Sequence, residues 1–124
     1  MTTALVATFL FLHGLVHLPV WLAPTSRDAP FDPRHSWVLA AAGLPQARAG
    51  TAAVGLASAA TLLYVIAGAA TAAQSGGWAT AAVTAAAAGL LLKSLYFNPW
   101  LSLGVLLDAA VITAVLAAWP GSLY

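Results

Sequence analysis

Four long apolar stretches separated by polar or proline-marked interruptions dominate the chain. A helix rises about 1.5 Å per residue, so crossing a hydrocarbon layer of roughly 30 Å takes about 20 apolar residues. Runs of that length lie at about 2–22, 49–72, 77–97 and 99–119. Gln74-Ser75-Gly76-Gly77 marks a tight turn between the second and third. Asn98-Pro99 separates the third from the fourth, and a proline suits the first turn of a new helix. The segment from about 23 to 47 is the one long connection, and Pro24, Pro30, Pro33 and Pro45 forbid a continuous helix through it. Within it, Ser36 is placed to cap a short interfacial helix that starts at Trp37 and ends near Gly43. The pattern predicts an all-α, integral membrane four-helix bundle, up-down-up-down, forming a single domain over 1–124.

Composition narrows the solvent and the chemistry. Hydrophobic residues make up 62% of the chain and charged residues 6%, against about a quarter charged in soluble domains. Seven charges cannot cover a water-facing surface of this size, and a chain so apolar is not disordered. A net charge of +1 offers no footprint for nucleic acid. The absence of cysteine removes disulfides, thiolate metal sites and thiol redox chemistry.

Charge placement also sets an expected orientation. Arg27, Arg34, Arg48 and Lys93 all fall on the side of the first and third connections. The positive-inside rule therefore places the long loop in the cytoplasm and both termini outside, in a multi-pass plasma-membrane protein. Trp21, Trp37 and Trp100 fall at the inner boundary and Trp78 and Trp119 at the outer one, as an interfacial belt requires. The first span has no basic start and no small-x-small cleavage site after it, so it is expected to be retained.

Three ionisable residues lie deep in these spans: His13, His17 and Asp108. A charge at a helix centre costs about 2.5–3.5 kcal/mol to insert, which makes such residues functional candidates. His13 and His17 are four apart and share a helix face. His13 lies 11 residues below Thr2 and Asp108 lies 11 below Trp119, which puts both roughly 16 Å deep. The expectation is a His13–Asp108 contact between the first and fourth spans, with His17 directed at a notch left by Gly104.

Three readings fit that cluster. It is a structural hydrogen bond, a site for a proton or small ligand, or a zinc or iron site in which two imidazoles and a carboxylate form a facial triad. An enzyme would have to work from the same residues, since no nucleophile elbow, phosphate loop or serine triad is present. The rival class is an accessory or scaffold subunit of a larger membrane complex or a homo-oligomer, built on small-residue seams such as Gly55/Ala59, Ala81/Ala85/Gly89 and Gly68/Ala72. Lys93 is expected to snorkel to the headgroups rather than pair with Asp108. Tyr64 reads as a packing residue, and the membrane threonines as bonding back to their own helices. In the loop, Arg34, His35 and Trp37 are candidates for a lid over the cluster, set against a plain lipid-facing connector.

Three strings carry a resemblance: His13-Gly14-Leu15-Val16-His17-Leu18, then Phe31-Asp32-Pro33-Arg34-His35-Ser36-Trp37, then Pro99-Trp100-Leu101-Ser102-Leu103-Gly104 leading to Asp108. Together they resemble uncharacterised small four-span membrane proteins of high-GC bacteria. The resemblance implies the four-span fold and no activity, substrate or cofactor. The chain lacks the cysteines of the vitamin K epoxide reductase class and the glutamate of small multidrug pumps.

Overall fold

A computed structural model describes residues 1–24 and 26–124; Thr25, inside the predicted loop, lies outside them. The described residues form α1 (Thr2–Leu15), α2 (His17–Trp21), α3 (Trp37–Ala41), α4 (Gln46–Ala72), α5 (Trp78–Leu95) and α6 (Ser102–Leu116), with single 3-10 turns at Pro99–Leu101 and Gly121–Leu123. No strand occurs among them. Four helical stretches are long and apolar enough to cross a bilayer: Thr2–Trp21, Gln46–Ala72, Trp78–Leu95 and Pro99–Leu116. The fold is an all-α four-helix bundle.

Local chemistry explains where each stretch starts and stops. The first is interrupted at Val16, three residues before Pro19. Proline has no N–H for the carbonyl one turn back, and its ring crowds that carbonyl. Pro45 takes the cap position of α4, so this helix starts three residues earlier than the apolar run. The α5 helix ends at Leu95, where Tyr96 leaves helical geometry with ψ 35°. Asn98 then accepts from the backbone N–H of Trp100 and opens the next turn, with Pro99 at its first position. The last helix stops at Leu116, followed by Ala118 in the left-handed region at φ 50°.

The helices pack in sequence: α1 and α2 on α4, α4 on α5, and α5 on α6. The first and fourth spans make almost no backbone contact, so the bundle is a bent row whose two ends face each other across a groove. Two apolar cores stack along the bundle. Leu10, Ala67, Trp78, Ala82, Ala86 and Val111 belong to the one nearer the termini. Trp21, Ala53, Ala57, Leu92, Tyr96 and Leu101 form the one nearer the long loop. Close approach is set by small residues. Gly68 lies against the Phe11 ring, where an added Cβ would come within 3.0 Å, and Gly14 lies against Tyr64.

The small-residue seams therefore divide. Ala85, Gly89 and Gly68 are buried inside the bundle, whereas Gly55 and Ala59 are exposed. Of the five tryptophans, Trp21 and Trp78 are buried, while Trp37, Trp100 and Trp119 are exposed.

The long loop is docked rather than loose. The Arg34 guanidinium donates to the carbonyls of Trp21, Leu22 and Ala23 at 2.9, 3.0 and 2.7 Å, serving carbonyls at the end of α2 that have no helical partner. Trp21 Nε1 donates to the Pro33 carbonyl at 3.2 Å. Ser36 accepts from the Leu39 N–H as the cap of α3 and donates to the Leu95 carbonyl at 2.5 Å. The α3 helix ends at Ala41, short of Gly43, which turns the chain at φ 80°. Replacing Arg34 with alanine is expected to cost about 1 kcal/mol and to speed proteolytic cleavage within residues 22–35. Unchanged cleavage of the Arg34→Ala protein in lipid nanodiscs would show that the guanidinium does not hold the loop.

Candidate functional site

Between the two apolar cores, side chains from all four membrane-length stretches converge on one carboxylate. Asp108 on α6 is completely buried. Its Oδ1 accepts from the Tyr64 hydroxyl of α4 at 2.5 Å and lies 2.7 Å from His13 Nε2 of α1. Its Oδ2 accepts from Lys93 Nζ of α5 at 2.7 Å. The Tyr64 hydroxyl and the Lys93 ammonium both donate to the carboxylate; taken as the anion it only accepts, and His13 then carries its proton on Nε2.

The second histidine has the opposite tautomer. His17 Nδ1 faces only carbonyl oxygens, those of His13 at 3.0 Å and Gly14 at 3.1 Å, so it must be the protonated nitrogen. Its Nε2 is then free to accept, and Lys93 Nζ lies 2.9 Å away. The ammonium is placed 5.7 Å from the centre of the Trp21 ring, within cation–π range. His17 itself is stacked between Trp21 and Tyr64, with ring centres 5.5 and 5.9 Å apart. Among the described residues, every fully enclosed side-chain nitrogen and oxygen has a partner. His13 Nδ1 has no hydrogen bond among the described residues, and the residue is buried.

Two glycines make this arrangement possible. A Cβ on Gly89 would come within 2.6 Å of Asp108 Oδ2, and one on Gly104 within 2.6 Å of Lys93 Cε. Gly89 and Lys93 are one turn apart on α5, and Gly104 and Asp108 are one turn apart on α6. Each helix thus offers a notch to the other's charged side chain.

The structure brings His13 and Asp108 together through their side chains, since α1 and α6 make almost no backbone contact. It corrects the expectation for Gly104: the notch receives the stem of Lys93, while His17 meets the ammonium. It also corrects Lys93, which is 3% exposed and paired with Asp108. The physical reason is directional. Side chains on a helix tilt toward its N-terminus, and α5 runs toward the loop face, so a lysine near its C-terminal end leans into the membrane rather than toward the headgroups. The zinc or iron triad is not formed. His17 Nε2 faces a cation, and no group of three His, Cys, Asp or Glu among the described residues is arranged to hold a metal. Arg34 serves the end of α2, while His35 and Trp37 are exposed; none of the three has a hydrogen bond to the cluster.

Tyr64 and Lys93 are the cluster residues that sequence reasoning left out. The signal for Lys93 was the matched spacing Gly89-x3-Lys93 and Gly104-x3-Asp108 on antiparallel neighbours. Thr61, Thr71, Thr84 and Thr113 do bond back to carbonyls four residues earlier, and Thr61 also reaches the Gly14 carbonyl across to α1.

Magnitudes decide what the ion pair contributes. Inserting two charges costs about 5–7 kcal/mol on the scale above. Their attraction at 2.7 Å is about 6 kcal/mol at an effective dielectric near 20. The pair roughly breaks even, whereas losing one partner strands the other. Comparison with protein-family models, curated proteins and solved structures finds no match to the chain.

Lys93→Met is expected to destabilise the protein by about 3–5 kcal/mol, and Lys93→Met/Asp108→Asn by less, because the double variant leaves no unpaired charge. Unfolding in mixed micelles measures both, and a double variant as unstable as the sum would mean the pair is not coupled. Gly89→Ala is expected to cost about 1–3 kcal/mol by pressing on an anchored carboxylate. Gly55→Ala meets nothing within 4 Å and is expected to be neutral or slightly stabilising in the same assay.

Proposed function

We propose that the protein is a small multi-pass protein of the plasma membrane whose intramembrane cluster is a ligand site, with His13 Nδ1 as the atom that accepts a proton or hydrogen bond from the ligand. Both termini lie outside and the loop lies in the cytoplasm in this reading, following the distribution of Arg27, Arg34, Arg48 and Lys93. The observation that carries it is the one ring nitrogen of the two histidines that has no hydrogen bond among the described residues. Asp108, Lys93, Tyr64 and His17 spend their polar atoms on one another and on backbone, while His13 keeps one lone pair without a partner. A carboxylate behind the imidazole fixes the tautomer and leaves the other ring nitrogen as the acceptor.

A second reading is favoured by a different observation. Gly55 and Ala59 remain exposed on the outer face of α4, and nothing lies within 4 Å of a Cβ on Gly55. An accessory role, with α4 packed against a second copy or a larger membrane partner, would use that face and leave the cluster a purely structural lock. It predicts that Gly55→Leu releases the partner without altering either histidine.

Nitrogen-15 NMR of the histidine rings in nanodiscs tests the principal reading. Near neutral pH the expected result is a proton on Nε2 of His13 and on Nδ1 of His17, with the His13 preference lost in Asp108→Asn. The same tautomer on both rings, or a His13 signal indifferent to Asp108→Asn, would overturn it.

A further inference from the structure

The contact between His17 and Lys93 works in one direction only. The carbonyls of His13 and Gly14 fix a proton on His17 Nδ1, so Nε2 accepts, and Lys93 Nζ donates to it at 2.9 Å. A second ring proton would turn Nε2 into a donor facing an ammonium. Protonating His17 thus exchanges a hydrogen bond for a repulsion at the same distance. The surroundings of the ring do not offset it. Besides Lys93 of α5, the ring meets the edge of His13 from α1, with centres 5.4 Å apart, and the Tyr64 ring of α4. Asp108 of α6 already accepts from Tyr64 and Lys93 and bonds His13. In the loop, Asp32 accepts from the Arg34 backbone N–H, and the Arg34 guanidinium serves the end of α2; neither bonds to the ring. His13 is placed the other way, because a second proton on it would strengthen its bond to the Asp108 carboxylate.

The helix that carries His17 is also the one least held. The α2 helix has five residues, and Pro19 offers no N–H to the Leu15 carbonyl one turn back, so a rung is missing at its junction with α1. Lys93 and Asp108, by contrast, sit in long helices and fill each other's glycine notches. Repulsion between His17 and Lys93 therefore acts on α2. Trp21 is stacked on His17 one turn away, its indole bonds the Pro33 carbonyl, and Arg34 is tied to the carbonyls at the helix end. These groups move with α2. Beyond them, Ser36 is moored to the Leu95 carbonyl, and Leu39 packs on the core nearer the loop.

We propose that acid on the loop side of the membrane opens the bundle at α2: a proton on His17 Nε2 breaks the contact with Lys93, and α2 swings away from α5 about the break at Val16, carrying Trp21 and Arg34. It rests on the His17 tautomer and not on His13 Nδ1 accepting a ligand. One proton is taken from water, and no other covalent bond changes. A solvated imidazole takes its proton at about pH 6.5. The closed form has no place for that proton, so the ratio of open to closed protein rises as pH falls below about 6.5. For one proton the rise is at most about tenfold per pH unit.

The chain has no cysteine, so Leu22→Cys/Phe97→Cys, at two exposed positions on the loop ends of α2 and α5, takes spin labels at known places. Pulsed electron paramagnetic resonance on the full chain in nanodiscs, from about pH 7.5 to 4.5, reads the distance between them across the histidine range. The expected result is one distance at neutral pH and a second, longer by about one helical turn or more, that grows on the acid side. In the same background His17→Gln, which keeps an acceptor for Lys93 and has no group to titrate, should hold the short distance at every pH. His13→Gln should leave the acid response in place. Nitrogen-15 spectra of the unsubstituted protein follow the His17 ring directly and decide the matter even if a variant fails to fold. Both its nitrogens should carry protons over the pH range in which the longer distance appears.

A distance that stays the same down to about pH 4.5, well below the ordinary histidine range, would overturn the proposal. So would an acid response that survives His17→Gln, or opening while the His17 ring keeps a single proton. Loss of the response in His13→Gln would assign the switch to the other histidine and also overturn it.

Discussion

A carboxylate anion in hydrocarbon must find donors within the protein, and the geometry of this bundle follows from how Asp108 finds three. The α6 helix makes its main backbone contact with α5, and much of its apolar surface, including Leu103, Leu106 and Leu116, remains exposed. Apolar contact does little to hold a helix in lipid, where the surrounding chains are equally apolar. Hydrogen bonds from Tyr64 and His13 reach α6 from the far side of the row. They limit how far the row can straighten, and the gap they span sets the width of the groove. The cluster is therefore a structural lock and a candidate ligand site through the same atoms. The two roles differ only in whether His13 Nδ1 ever acquires a partner.

The ion pair and the two glycines are a single device. Lys93 and Asp108 lie on adjacent antiparallel helices, and each needs space where the other helix would ordinarily carry a side chain. Gly89 and Gly104 supply it one turn away. Overpacking is felt in such a site because neither charged side chain has an alternative position: the carboxylate is held by three donors and the ammonium by an acceptor on each side. A glycine facing lipid, such as Gly55, carries no such constraint.

Much of the fold was legible because hydrocarbon thickness and backbone satisfaction leave few options. Apolar runs located the four spans to within a few residues at most ends, and proline and asparagine chemistry explained the joints at Pro45 and Asn98. Depth counting nominated His13 and Asp108 for one level, and the structure brings them within 2.7 Å. Rotation about the helix axis was less accessible. Lys93 was assigned by its distance from the boundary, and only the tilt of side chains toward the N-terminus reveals that it points inward. The same limit concealed Tyr64, whose hydroxyl lies at the cluster because α4 presents that face to α1, and turned two boundary tryptophans into buried ones.

The placement of Trp21 shows how the loop and the cluster are mechanically joined. Its indole bonds to the Pro33 carbonyl, its own carbonyl accepts from Arg34, and its ring lies between the loop and the His17–Lys93 pair. Arg34 thus bears on the cluster through the position of α2, not through contact with the charged groups. The break at Val16 makes this coupling meaningful, since α2 is joined to α1 at a point already weakened by Pro19. Movement of the loop would shift the tryptophan face and His17 while leaving the His13–Asp108 bond, anchored on α1 and α6, in place. The two histidines, although one turn apart, therefore answer to different parts of the molecule: His17 to the loop, His13 to the contact between α1 and α6.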